Sequence, residues 1–399
     1  MKRFIVLGMV WGWSSLCAQT APVTLDEILT HAKPSKLIQE RLTQEAMARQ
    51  AENLATTQEE PINLHHALSW NNGVSDDGLE HEVELSKAFI WGDIQRLEQA
   101  QNRLNNEAYV LEESLSIVEI ENHLKNLYHQ HCLDDAYLQS LQEAYERFVE
   151  LYAKKEVAFD QGEIAKTELL QLELERSRLA IELQNREAKE QSSRELLLSL
   201  TSLPYDALFS CNDTYSIVPE VSMNDQVFTL SQEAYEKRIE STKLGMARYG
   251  HKVESVELSL GYSKELESDI YTLGVSVPLS FTTKRSEYAK ASLMHQASAL
   301  ELKRTEEISK KSYEVRRLYE HLRQNYMTIQ AQEQNIENYQ NRLLPLMKKS
   351  YDYGESSVIE YLLSQQRLYA LEQELLNQKR DYYNTLFELY TVSEIKEKQ

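Results

Sequence analysis

Four short segments of the chain alternate apolar and polar side chains with a period of two, as half-buried strands do. They form two predicted hairpins, at residues 62–91 and 253–281. In the last segment Leu273 and Val275 fall on one face, and Thr272 and Gly274 fall on the other. Apolar side chains on one face, small or polar ones on the other and a length of about ten residues are typical of transmembrane barrel strands.

The ends of these segments carry aromatic residues, which favour a membrane girdle over the alternative of a small soluble sheet packed on helices. The predicted girdle residues are Trp70, Trp91, Tyr262, Tyr271 and Phe281. Four strands cannot close a membrane barrel by themselves. They must therefore pack on protein, or be joined by sheets from other chains.

Each hairpin is followed by a long stretch with helical composition, at residues 94–159 and 285–352. At 1.5 Å per residue, each would span roughly 100 Å. Shorter helices are predicted at 167–202 and 357–393, and another at 228–250. The helix 357–393 has two adjacent stripes of Leu and Tyr with a spacing of seven residues, such as Leu368 and Leu375 beside Tyr369 and Leu376. A helix with two stripes packs on both sides, which suits a ring of helices.

The phrase FDQGEIAKTELLQLE (159–173) returns 192 residues later as YDYGESSVIEYLLSQ (351–365). A glycine in each copy suits the left-handed end of a helix. Ser356 or Ser357 could cap the helix that follows in the second copy, and Thr167 is a weaker candidate in the first. The phrases therefore predict the tips of two helical hairpins, at 160–166 and 352–357.

The chain is thus predicted to contain two repeats, 19–205 and 228–399, joined by a turn-rich linker at 203–227. Residues 1–18 have the basic start, short apolar run and small residues of a secretory signal peptide. Lipidation of Cys17 is the alternative, although Leu16 suits that processing poorly. In an exported chain Cys132 and Cys211 could form a disulfide, and two free thiols are the other possibility.

Composition and charge mainly exclude classes of partner and of function. The chain has 399 residues with only 11 Gly and 7 Pro, so loops are few, and its net charge of −20 disfavours nucleic acid and anionic membranes as partners. There is no Gly-rich phosphate loop, nucleophile elbow or convergent His/Asp/Glu set. The sequence therefore predicts that the chain is not an enzyme and has no cofactor.

Two histidine-containing stretches are candidate metal sites. In HQHC, His129 and Cys132 share a helix face that His131 does not. His65 and His66 point to opposite faces of a strand. Neither spacing assembles a ligand set, so no metal site is predicted.

Four segments in order resemble the TolC family of bacterial outer-membrane efflux proteins, and the resemblance covers nearly the whole chain after the signal peptide. They are VTLDEILTHAKPS (23–35), LSKAFIWGDIQR (85–96), VSVPLSFTTKR (275–285) and LLPLMKKSYDYGESSVIEYLLSQQRL (343–368). The short length and the second segment resemble most the branch that serves heavy-metal cation efflux. The implied fold is mainly α with a small β part, in two repeats. Long helical hairpins would form a trimeric periplasmic α-barrel, and each chain would add four strands to a 12-stranded outer-membrane β-barrel.

The resemblance also implies a function. A homotrimer in the bacterial cell outer membrane, extending into the periplasm, would be the passive exit duct of a tripartite RND-type pump for small molecules or metal cations. Its partners would be a periplasmic membrane-fusion adaptor protein, an inner-membrane transporter and outer-membrane lipid. A type I secretion duct for polypeptides is the alternative, and a secreted periplasmic coiled-coil structural protein is an alternative of another class.

By position, the adaptor would dock at the two tips. The implied docking residues are Asp160, Gly162, Glu163, Thr167, Tyr351, Gly354, Glu355 and Ser356. Glu168 and Glu360 lie deeper and are candidate lumen or gate acids, whereas Glu163 and Glu355 could merely be favourable charges in a first helical turn. In some members of the family an arginine just after the tip glycine holds the closed state by bonding to carboxylates, and Ser356 stands at that position here. Leu363 stands where the family has one of its paired tip acids. The resemblance therefore supports adaptor docking at the tips better than it supports the family's gating contacts.

Overall fold

The computed structural model describes residues 22–57, 60–72, 77–219, 228–251, 253–265, 268–278 and 284–395. The predicted signal peptide, the end of the linker at 220–227 and Phe281 lie outside these ranges. The described elements are α1 (Leu25–Thr30), α2 (Lys33–Thr57), β1 (Asn63–Asn72), β2 (Asp77–Ile90), α3 (Ile94–Asp160), α4 (Lys166–Leu200), α5 (Thr229–Arg248), β3 (Ser255–Lys264), β4 (Asp269–Ser276), α6 (Arg285–Asn338), a π-helical turn (Tyr339–Leu343), α7 (Leu344–Asp352) and α8 (Val358–Val392).

The four strands form one antiparallel sheet in the order β1-β2-β3-β4. The register places Leu64, Leu85, Leu260 and Leu273 side by side in one row across all four strands. This face is open: Leu260 is 62% exposed and Leu273 is 76% exposed. The sheet therefore presents a broad apolar surface that nothing in the described part of the chain covers.

The fourth strand is shorter than predicted. The alternating pattern predicts a strand from 269 to 281, but β4 ends at Ser276. Val277 and Pro278 already lie outside it. Proline has no N–H to donate to a ladder, so a strand stops before it or bulges there.

The two long helical stretches differ in regularity. α3 runs without a break over 67 residues, roughly 100 Å. The second stretch, predicted as one helix over 285–352, is divided by the π-helical turn Tyr339–Leu343, and Pro345 follows at the start of α7. Proline removes one helical hydrogen bond and its ring crowds the preceding turn, and a wider π turn accommodates both. Ala153 stands at the equivalent position of α3, so that helix continues.

The helices pack in a row rather than around a centre. α3 contacts α2, α4, α5 and α8, and α6 contacts α5 and α8. The main core lies where α1, α3, α4, α6, α8 and the linker meet, around Tyr128, Leu197, Leu318, Tyr382 and Leu386. No helix in the described ranges is both long enough and apolar enough to cross a membrane.

The described part of the linker, residues 203–219, has little regular structure, and side chains of the long helices bind its backbone. Tyr215 N–H donates to His129 Nε2 at 2.7 Å, and Tyr383 OH donates to the Tyr215 carbonyl at 2.6 Å. Val218 N–H donates to the Tyr382 hydroxyl oxygen at 3.0 Å. His129 Nδ1 lies 2.7 Å from the Lys125 carbonyl, so the neutral ring with its proton on Nδ1 satisfies both contacts.

A disulfide adds a covalent attachment. Cys132 of α3 bonds to Cys211 of the linker, with the two Cα atoms 5.5 Å apart. Of the two possibilities left by the sequence, the structure therefore has the pair. The bond lies one helical turn from His129 and ties down the same part of the linker.

The buried His129 predicts a specific loss of stability in acid. Burial lowers the pKa of His129 from 6.5 to about 4. Between these values the unfolded chain binds a proton that the folded chain does not. The contribution is therefore fully present above pH 6.5 and falls as the pH drops toward 4, by about 3 kcal/mol in total.

Urea unfolding at pH 7 and pH 4.5 measures this loss, with His129→Gln as the comparison because glutamine can still accept from Tyr215 but does not titrate. We expect the variant to lose less stability between the two pH values than the wild type. Burial also lowers the pKa of His131, so part of the dependence remains in the variant. An identical pH dependence in both proteins would contradict the assignment.

Candidate functional site

The first hairpin tip turns through a Schellman motif. Gly162 has a φ of +77°, Glu163 N–H donates to the Ala158 carbonyl at 2.8 Å, and Gly162 N–H donates to the Phe159 carbonyl at 2.8 Å. A Cβ placed on Gly162 would meet nothing within 4 Å. Glycine is therefore required here by the left-handed backbone and not by lack of space.

The second tip repeats this motif bond for bond. Gly354 has a φ of +74°, Glu355 N–H donates to the Ser350 carbonyl at 2.8 Å, and Gly354 N–H donates to the Tyr351 carbonyl at 2.9 Å. The two copies of the sequence phrase thus fold into the same turn.

The helices that leave the two tips begin differently. Ser357 caps α8 in a capping box: Glu360 N–H donates to Ser357 Oγ at 3.3 Å, and Ser357 N–H donates to Glu360 Oε2 at 3.1 Å. The N-cap of α4 is Ala165, which has no side chain to accept a bond. The prediction of Thr167 as a cap is wrong, because Thr167 already lies inside α4. Ala165 has a methyl group where Ser357, at the equivalent position, has a hydroxyl group. As a result α4 begins without a side-chain cap and α8 begins with one.

These bonds also locate the two candidate gate acids. Glu360 is exposed, and its carboxylate is bonded to the start of its own helix. Glu168, at the equivalent position of α4, is half-buried. Both lie in a first helical turn, where a carboxylate is favoured by the helix dipole.

Each set of docking residues implied by the resemblance lies within or beside one tip turn. Asp160, Gly162, Glu163, Thr167, Gly354 and Glu355 are exposed, and Tyr351 and Ser356 are half-buried. The Tyr351 ring stacks on Tyr361 at 5.5 Å, and Lys155 Nζ lies 4.7 Å from its centre. Tyr351 therefore helps to hold the tip, and only part of its surface is free for a partner.

A small apolar cluster holds the two hairpins side by side above the tips. It joins α3, α4 and α8 through Phe148, Tyr152, Leu172, Leu179, Val358 and Leu362. The tips are thereby presented on packed helices rather than on a loose loop. Rigid elements of this kind position a binding surface with little entropy to lose on docking.

A groove between α4 and α8 lies beside this cluster, with a volume of about 290 Å³, and the sequence reading missed it. Leu174 is 72% exposed and Leu363 is 57% exposed on its walls. The nearly buried Glu175 lies between them, held by Arg178 Nη2 at 2.7 Å and by Gln366 Nε2 at 2.5 Å from the neighbouring hairpin. The signal available in the sequence was Leu363, which lies outside the two heptad stripes of the helix predicted at 357–393.

The exposed sheet face forms the second part of the site. Trp70, Trp91 and Tyr271 are each more than half exposed, and Tyr262 packs on Tyr271 with the ring centres 5.2 Å apart. From Val83 in β2 to Trp91 directly after that strand the apolar face spans nine residues, about 26 Å before any tilt. The apolar band of outer-membrane barrels is about 25 Å tall.

The HQHC stretch is occupied by structural contacts. His129 binds the linker, Cys132 is in the disulfide, and His131 Nδ1 lies 3.0 Å from Ser193 Oγ. Within the described ranges no three His, Cys, Asp or Glu side chains are grouped so that they could hold a metal ion.

The unequal caps predict opposite responses to matched substitutions. Ala165→Ser creates a capping box with Glu168, and we expect it to stabilise the start of α4 by about 1 kcal/mol. Ser357→Ala removes the existing box and should destabilise the start of α8 by a similar amount. Hydrogen exchange at the Glu168 and Glu360 amides, the groups that the caps bind, measures both. Equal exchange in each variant and the wild type would contradict the capping assignment.

Comparison with known proteins was made for the sequence and for the fold. Residues 242–393 match the family described as outer membrane efflux protein, whereas a search of curated protein sequences finds no match. Among solved structures, the chain is similar to CusC, a protein described as forming a transmembrane channel, with 17% identity, a TM-score of 0.73 and coverage of 92% of this chain and 90% of that one.

Two further structures agree over almost the whole chain. The Campylobacter jejuni CmeC outer membrane channel has 13% identity and a TM-score of 0.70, covering 98% of this chain and 93% of its own. The Neisseria gonorrhoeae MtrE outer membrane channel, in its open state, has 12% identity and a TM-score of 0.71, covering 92% and 87%. The matched segment lies in the second repeat, and the fold is shared over almost the whole length, so this chain has the fold of these outer membrane channels and is similar in sequence to the outer membrane efflux protein family.

Proposed function

We propose that three copies of this chain form a passive exit duct in the bacterial outer membrane. Helical hairpins would extend into the periplasm and dock a membrane-fusion adaptor, which would link the duct to an inner-membrane transporter. The exported cargo would be small molecules or metal cations. The observation that carries the proposal is a sheet with an exposed apolar face and two open edges.

The open edges require other copies of the sheet. Among the residues that the structure describes, β1 pairs only with β2, and β4 pairs only with β3. In hydrocarbon each unpaired backbone N–H or C=O costs several kcal/mol, so a sheet spanning a membrane must close on itself. If β1 of one copy pairs with β4 of the next, three copies close a barrel of 12 strands, an even number within the range of such barrels.

The flanks of the helical layer support the same assembly. On α6, Leu302 is 72% exposed and Tyr313 is 69% exposed. On the opposite flank Met47 of α2 and Ile181 of α4 are also more than half exposed. Large apolar side chains exposed along both flanks of one layer indicate surfaces that are covered by neighbours. A ring of copies joins one flank to the other and covers both.

The tips supply the proposed contact with the adaptor. Asp160, Glu163, Asp352 and Glu355 place exposed carboxylates on the two turns. We expect the matching adaptor surface to be basic, because complementary charge speeds and orients docking. Glu168 and Glu360 remain proposed lumen acids of the same end, with Glu360 also serving as part of the α8 cap.

Two substitutions on neighbouring residues of β4 test the membrane orientation. Leu273→Lys puts a charge on the apolar face, and a lysine facing lipid costs about 2–4 kcal/mol near the midplane. Thr272→Lys puts the same charge on the opposite face, where the register places Gly261 beside it. We expect Leu273→Lys to deplete the outer-membrane trimer and Thr272→Lys to leave it nearly unchanged.

Membrane fractionation followed by mass determination of the detergent-solubilised complex gives both readouts. The wild type should be found in the outer membrane with three times the mass of the mature chain. A soluble monomer or dimer would overturn the duct. Equal losses with the two lysine variants would show that the Leu273 face does not contact lipid.

A further inference from the structure

The linker is attached around Cys211 at several points that all belong to the long helices. Tyr128 OH donates to the carbonyl of Ser210, the residue directly before Cys211. His129 and Tyr383 bind the Tyr215 backbone, and Tyr382 binds that of Val218. These contacts hold the linker segment that carries Cys211 against the helices, and none of them is made by either cysteine.

The two sulfurs differ in accessibility. Cys132 is 5% exposed and belongs to the main core beside Tyr128 and Leu197. Cys211 is half-buried at the edge of that core. Thiol–disulfide exchange requires an in-line approach of a second sulfur, so it proceeds at the more accessible cysteine. Once the linker is docked, only Cys211 can be reached by an external reagent.

We propose that docking of the linker is completed by an oxidation in which Cys211 is the entry sulfur and Cys132 is the resolving one. The Cys211 thiolate attacks a disulfide of the exported compartment, forms a mixed disulfide and releases the first thiol of that reagent. The Cys132 thiolate then attacks the Cys211 sulfur and releases the second thiol. Two electrons and two protons leave the protein, and the external disulfide is reduced to two thiols.

The resulting disulfide holds the linker between the two repeats against α3, and we call this bond the clasp. Cys132 and Cys211 are 79 positions apart, so the bond closes a long loop in the unfolded chain and stabilises the docked linker. The inference rests on the geometry of one chain and on its export to an oxidising compartment, and it does not depend on the trimer or on the exported cargo.

Entry at Cys211 is tested with oxidised glutathione as the external disulfide. Native Cys132→Ser and Cys211→Ser proteins are incubated with it, and peptide mass spectrometry follows each cysteine separately, which also distinguishes Cys17 if it is retained. We expect Cys132→Ser to accumulate glutathione on Cys211. Cys132 in the Cys211→Ser protein should react at least about a hundredfold more slowly until denaturant is added. Equal rates, or faster reaction at Cys132, would overturn the order of the two steps.

The clasp itself is tested by hydrogen exchange of the folded wild type before and after mild reduction. The Tyr215 and Val218 amides, which donate to His129 and Tyr382, should exchange on the order of a hundredfold faster after reduction. The Leu172 amide in α4, far from the linker, serves as the control and should not change. The Cys132→Ser/Cys211→Ser protein gives the same comparison without a reductant. Unchanged exchange at Tyr215 and Val218 in both forms would show that the disulfide does not hold the linker.

Discussion

Backbone hydrogen bonding at the two sheet edges constrains everything else in this molecule. A four-stranded sheet with an exposed leucine row has one lipid-like face, and at β1 and β4 it has two rows of N–H and C=O groups without partners within the described chain. Hydrocarbon leaves no water to satisfy those groups. The helices carry exposed apolar side chains on the same two flanks. In the ring of copies that we propose, neighbouring sheets would pair with the open edges and neighbouring helices would cover these side chains.

The internal repeat sets a second requirement, at the connection between the two repeats. Residues 203–219 have almost no regular structure, so their backbone groups need partners from elsewhere. Tyr382 and Tyr383 of α8 and His129 of α3 provide them. Tyr382 and Tyr383 continue the two stripes with seven-residue spacing, which predict helix packing. In the structure these tyrosines also bind the backbone of the linker. The aromatic rings fill the core, and their hydroxyl groups satisfy the linker where it crosses that core.

The sequence predicted the features that depend on local pattern. Period-two alternation located the strands and their apolar face, and the offset of 192 residues located Gly162 and Gly354 in equivalent turns. Features that depend on contacts distant in sequence were not predictable in this way. The Cys132–Cys211 bond, the His129–Tyr215 bond and the Glu175–Gln366 bond join residues that no spacing rule relates. The π-helical turn before Pro345 was missed for another reason: helical composition continues through it, and only the missing N–H of the proline marks the break.

The two hairpins follow the same chain path, but their least stable regions lie at different places. In the first hairpin α3 is unbroken, and α4 is uncapped because Ala165 stands where Ser357 stands in the second. In the second hairpin α8 begins with a capping box, and a π-helical turn lies about ten residues above the tip. A cap is worth about 1 kcal/mol and a π turn interrupts the regular ladder, so each hairpin is weakest in a different place. The first is weakest at the tip itself, and the second is weakest about three helical turns above a well-fixed tip. In the trimer that we propose, the near-sixfold symmetry of the repeated hairpins would therefore be reduced to threefold at the tips, and an adaptor docked there would meet two alternating kinds of tip.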